Sequence, residues 1–87
     1  MSDLELSAHA KDMLKERKIL EEWVWRTISA PDRKKKHVDD GNIHYTKVIK
    51  EKSGQVLHVV VNQNVQPHRI VTVFFDRRLR KKNEIKN

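Results

Sequence analysis

At Pro31 the chain changes its hydrophobic period. Upstream, apolar residues return at the three- and four-residue spacing of a helix; downstream they alternate in short runs broken by turn residues. A chain of 87 residues in that order makes one small domain, helices first and sheet second, each layer covering the apolar side of the other.

Ser7 is a natural N-cap and predicts a helix over 8–18. Its apolar stripe is Ala10, Met13 and Leu14, with Arg17 at the centre of that stripe and His9 at its edge. Two polar side chains facing a core need partners or a purpose. In "LEEWVWRTISAPD", Leu20, Val24 and Ile28 recur at helical spacing, Glu21 and Glu22 suit the positive end of the helix dipole, and Pro31 stops the helix. Trp23 and Trp25 flank that stripe on opposite sides, so at most one is well buried and the other is a candidate contact surface, for instance in a homodimer.

Beyond Pro31, "DDGN", "KSGQ" and "NVQPH" punctuate three strand-like runs. A two-residue hairpin at Ser53-Gly54 sets Lys52 opposite Gln55 and, stepping back, Ile49 opposite His58, Lys47 opposite Val60 and Tyr45 opposite Asn62. The other face then receives Val48, Leu57, Val59 and Val61, joined by Val71, Val73 and Phe75 from the next strand, and holds the helices. A weaker first strand over 33–38 completes the expected fold: α+β, two N-terminal helices on one face of an antiparallel meander of about four strands. Residues 1–76 form the domain and 77–87 a basic tail, extended or weakly helical.

The net charge of +7 is unevenly placed. "RRLRKKNEIKN" carries six basic residues and one acid, and "RKKK" at 33–36 is wholly basic, while the remainder is mildly acidic. Such clusters suit polyanions, although lysines also protect an edge strand from aggregation. Cysteine is absent and the five histidines show no metal-ligand spacing, so no structural metal and no cofactor is expected. No apolar run approaches the roughly 18 residues of a membrane span. The opening "MSDLELSAHA" has no signal-peptide pattern, and the expectation is a soluble cytoplasmic protein without membrane contact.

"HAKDMLKERKI", followed by a helix, "APD", a hairpin and "IVTVFF", resembles a set of small prokaryotic proteins with the signature H-A-x-x-R-M-x-x-R-G-I. These are grouped with RelE-like and BrnT-like toxins in the barnase, EndoU, colicin and RelE ribonuclease fold group. His9, Ala10, Arg17, Ile19, Pro31 and Thr72 match. The inner Arg-Met pair of the signature falls on Met13 and Leu14, its glycine on Lys18, and its helix-capping Ser or Thr on Leu20. The resemblance implies a RelE-like fold and an RNA-acting toxin with RNA or the ribosome as target and a cognate antitoxin as partner. Without the inner arginine a phosphate ligand is missing, and Lys18 must end the first helix at positive φ.

Metal-independent RNA cleavage needs a base, an acid and cationic stabilisation of the phosphorane. The catalytic candidates are His58, Lys47, Tyr45, His9 and Thr72, with His58, Lys47 and Tyr45 grouped on the sheet face away from the helices. Phosphate-binding candidates are Arg17, Lys34, Lys35, Lys36, Arg77, Arg78, Arg80, Lys81 and Lys82. His9 has a competing role as a partly buried ring bonded to backbone, and Arg17 as a stem laid over the core to reach a carboxylate or carbonyl. The alternative function is a non-catalytic nucleic-acid-binding or protein-interaction module of the same fold.

Overall fold

A computed structural model describes residues 4–79. The order is β1 (Leu4–Leu6), α1 (Ala8–Arg17), α2 (Glu21–Ser29), β2 (Arg33–Lys36), β3 (Ile43–Ile49), β4 (Gln55–Asn62) and β5 (His68–Phe75), with one 3-10 turn at Lys50–Lys52. The fold is α+β. The sheet is not the expected four-stranded antiparallel meander: it has five strands in the order β1-β5-β4-β3-β2, with β1 parallel to β5. "LEL" is too short to show a period, and its pairing partner lies more than sixty residues away.

Ser7 caps α1, its Oγ accepting from the Ala10 N–H at 3.0 Å. At the other end Lys18 takes the left-handed conformation, φ 53°. The Ile19 N–H donates to the Leu14 carbonyl and the Lys18 N–H to that of Lys15, which closes the helix as glycine usually does. Ile19 is buried and Leu14 packs on the same core, supplying the apolar contact that accompanies this cap. Helix α2 is rotated from the expected stripe: Trp23, Val24 and Thr27 are buried and Leu20 is 53% exposed as the residue before the helix. Thr27 can turn inward because its hydroxyl donates to the Trp23 carbonyl at 2.8 Å. Trp23 meets Phe75 edge to face.

Both helices cover one face of the sheet, α1 over β5 and α2 over β3 and β4. Ile49, Leu57, Val59, Ile70 and Val73 are fully buried beneath them. Val59 pairs with Val73 as expected, but a bulge between Val60 and Val61 sets Val61 opposite Ile70. Val71 is therefore displaced from the core, and Ile70 takes the place expected for it.

The β3–β4 hairpin differs from expectation by three residues. Ile49, not Lys52, stands opposite Gln55. The 3-10 turn precedes Ser53 and Gly54, which lie at φ 56° and 75°, so five residues make the connection. An odd shift exchanges the faces of a strand. Tyr45, Lys47 and Ile49 accordingly face the helices, and His44, Thr46 and Val48 occupy the open face.

Candidate functional site

The five catalytic candidates, and Arg17 with them, separate in space. His58 and Thr72 are on the open face, opposite Phe74 and Val60. Tyr45 is on the helix side, packed at the edge of the core with the Lys34 ammonium 5.6 Å from its ring centre. Lys47 is also on that side. Its Nζ donates to the Ala30 carbonyl at 2.8 Å and lies 3.7 Å from Asp32, so it completes the end of α2 instead of joining His58. His9 and Arg17 are exposed on α1, across the sheet from His58. The helix turns about Ala10 and Leu14, which leaves neither polar side chain in the core.

On the open face the structure assembles residues that the sequence pattern leaves apart. His44 Nδ1 and His58 Nε2 are 2.8 Å from each other, one donating to the other. His58 Nδ1 lies 3.2 Å from Asp76 Oδ2. On the other flank, His44 Nε2 is buried without a hydrogen bond and lies 3.5 Å from Asp40 Oδ2. His37 stacks on His44 with centroids 3.5 Å apart, and Phe74 stacks on His58 at 4.7 Å. Thr46, buried, stands directly opposite His58.

Local structure holds each end of this row. Asp76 follows β5 immediately, and its own N–H donates to the Val56 carbonyl at 2.8 Å, which fixes its backbone against β4. Its Oδ1 accepts from the backbone N–H and the Nε of Arg78, at 3.1 and 3.3 Å. Asp40 sits in the β2–β3 loop, where its Oδ1 accepts from the Asn42 N–H at 2.8 Å, and Gly41 at φ 70° lets the loop turn back.

The electrostatics follow from this geometry. Burial pushes the His58 imidazole below its ordinary value, the hydrogen bond to Asp76 opposes that, and His44 and His37 lower it further. For Asp76, burial favours the neutral acid, but hydrogen bonds from Arg78 and His58 outweigh it and hold the carboxyl below the usual range. The Asn42 N–H, with His44 next to it, does the same for Asp40.

The cationic candidates divide by strand parity. Arg33 and Lys35, paired with Thr46 and His44, share the open face, whereas Lys34 and Lys36 stand over the helix side. All four are exposed on an edge strand. Arg77 is exposed and Arg78 reaches back to Asp76. Arg80, Lys81 and Lys82 lie outside the described residues. A groove of about 340 Å³ is lined by Asp32, Arg33, Thr46, Lys47, Val48, Val56 and Leu79; Thr46, the partner of His58 across the sheet, is its link to the histidine row. Trp23 is buried, and the half-buried Trp25 donates its indole N–H to Glu21. Among the described residues no helix is long and apolar enough to cross a membrane.

Sequence reasoning misses His37, His44, Asp40 and Asp76. The available signal is parity: His44, Thr46 and His58 become one face once Ile49 is set opposite Gln55, and the choice of a two-residue turn conceals it.

Residues 6–75 match the sequence profile of a family described as a domain of unknown function (DUF4258). No curated protein and no solved structure matches the chain.

Proposed function

The chain belongs to the DUF4258 family, and from that premise we propose that it is an RNA-acting protein of the RelE-like or BrnT-like kind, an endoribonuclease that works without a metal ion. The observation that carries this reading is the row of His37, His44 and His58 on the same sheet face as Arg33 and Lys35. In the reaction, a base takes the proton of a ribose 2′-hydroxyl, the 2′-oxygen bonds to phosphorus, the phosphorus to 5′-oxygen bond breaks, and an acid protonates the departing oxygen. Imidazoles suit both tasks near neutral pH. Arg33 and Lys35 supply charge for the phosphate, and the groove next to Thr46 gives the flanking nucleotides a path along the sheet.

The second reading is a nucleic-acid-binding module without cleavage. It is favoured by one feature: every ring nitrogen of His44 and His58 already faces another protein group, so of these three histidines His37 alone offers an open imidazole.

Incubating the purified protein with single-stranded RNA in EDTA separates the two. Cleavage leaving 2′,3′-cyclic phosphate ends, abolished in His58→Gln and His37→Gln with binding retained, is the expected result. Salt-sensitive binding without product selects the module, and absence of binding overturns both.

A further inference from the structure

The row Asp40, His44, His58, Asp76 has three gaps between groups able to hydrogen-bond: Asp40 to His44 at 3.5 Å, where no hydrogen bond is made, His44 to His58 at 2.8 Å, and His58 to Asp76 at 3.2 Å. Each gap is satisfied by one proton. Two neutral imidazoles carry two ring protons, so one gap always sets a lone pair against an acceptor. If the central and Asp76 gaps are filled, the deficit falls on His44 Nε2, the buried nitrogen that has no hydrogen bond. Two imidazoliums carry four protons, which would drive two N–H groups against each other across 2.8 Å. Three protons fill three gaps.

We propose that His44 and His58 hold one extra proton between them as an imidazole–imidazolium pair, and that Asp40 is the positioning residue that keeps this proton on the pair. The Asp76 end fixes His58 as the Nδ1–H tautomer, whose Nε2 accepts from His44. The extra proton then resides on His44, with its Nε2–H directed at Asp40. Burial of His58 works in the same direction, since it disfavours charge on that ring.

The surroundings of the pair are mixed in sign. Lys35 on β2 stands opposite His44, and Arg33 opposite Thr46. His37 lies on the face of the His44 ring, and Arg78 is drawn to Asp76 beyond the far end. The carboxylates make direct contact with the two ends of the pair, which is why they decide where its proton sits. Asp40→Asn keeps the side-chain oxygen that accepts from the Asn42 N–H and lies at an exposed position, so it acts on protonation and not on packing.

For catalysis this means that the pair, whose four ring nitrogens all face protein groups, supplies a fixed positive charge to the face that carries Arg33 and Lys35 without itself exchanging protons with a substrate. That consequence rests on the reading of the open face as an RNA-acting site; the location of the proton does not.

The test is nitrogen-15 NMR of the histidine rings of the full chain across pH, on the wild type, Asp40→Asn and Asp40→Glu. The expected result is a single proton uptake by the coupled pair, an imidazolium signature at His44, a neutral Nδ1–H ring at His58, and scalar coupling across the N–H···N bond. Asp40→Asn should shift that uptake to lower pH and Asp40→Glu restore it, with folding unchanged. Two rings titrating independently, or an unaltered titration in Asp40→Asn, overturns the inference. If the wild type shows the shared proton but leaves RNA intact, the ribonuclease reading fails and this one stands; cleavage without a shared proton gives the reverse.

Discussion

His44 and His58 meet through a 2.8 Å hydrogen bond although neither is the other's direct partner across the sheet: His58 stands opposite Thr46, and His44 opposite Val60. The contact is diagonal between neighbouring strands, within reach of rings that lean along the strand. It places a polar row over Val60, which is buried on a face that neither helix covers. The open face is thus a structured surface, with ordered groups where an antiparallel sheet commonly meets water.

Acidification should weaken the fold through His58. Its folded value lies below the ordinary imidazole value, so the unfolded chain binds this proton more readily than the folded one. The associated stability is fully present above about pH 6.5 and is lost as pH falls through the depressed folded value. Thermal unfolding followed from pH 7.5 to 5 should show a steeper decline in the wild type than in His58→Gln. Parallel profiles would remove His58 as the source.

Lys18→Gly should stabilise the protein. A lysine at φ 53° bears the steric cost of the left-handed region, on the order of 1 kcal/mol, which glycine avoids while giving back part of the gain as unfolded-state entropy. Urea unfolding should show a midpoint higher by a net gain below about 1 kcal/mol. Lys18→Ala, which keeps the Cβ, should bring no such gain.

Lys47→Met should destabilise the fold without touching the open face. The ammonium satisfies the Ala30 carbonyl beyond α2, and a methionine keeps the stem packed while leaving that oxygen without its charged donor. A decrease of about 1 kcal/mol in urea unfolding is expected. RNA binding, measured by fluorescence anisotropy, should weaken by no more than the loss of one cation at the groove wall; a larger loss would return Lys47 to the functional surface.

These outcomes bear on what the sequence could disclose. The two helices, the cap at Ser7 and the apolar face of Val59, Val61 and Val73 are local or periodic features, and residue spacing carries them, whereas the left-handed Lys18 is implied by the resemblance, whose glycine falls there. The short β1 strand, the bulge at Val60 and the face of β3 are set by pairing between distant segments, which periodicity does not specify. For the site, His58 was legible as a histidine on the face away from α1 and α2. Its partners were not, because one wrong turn length exchanged His44 and Thr46 for Tyr45 and Lys47.

Arg33 and Lys35 should contribute to RNA binding through charge. Replacing both with glutamine should weaken binding to any RNA sequence and flatten its dependence on salt, the slope falling by about one for each phosphate no longer neutralised. Lys34→Gln and Lys36→Gln, altered on the helix side of the same strand, should have smaller effects. Equal effects from the two pairs would mean that the edge acts as a diffuse charge, with no preference for the face that carries the histidines.

Shortening the β3–β4 connection should leave the register of the sheet intact. Ser53 and Gly54 already have the two positive φ angles of a tight hairpin, and Ile49 already stands opposite Gln55. Deleting Lys50, Glu51 and Lys52 joins Ile49 to Ser53 and leaves a two-residue turn between partners that do not have to move. The variant should fold, with the exposed Arg26–Glu51 ion pair as the main interaction removed. It should also keep the coupling between His44 and His58 and the close approach of Lys47 to Ala30, both visible by NMR. If β3 instead slid into the pairing of Lys47 with Val60, then Ile49 would leave the core and Val48 would enter it, and the histidine contact would be broken. Retained folding without the His44–His58 coupling would show that the 3-10 turn itself sets the register.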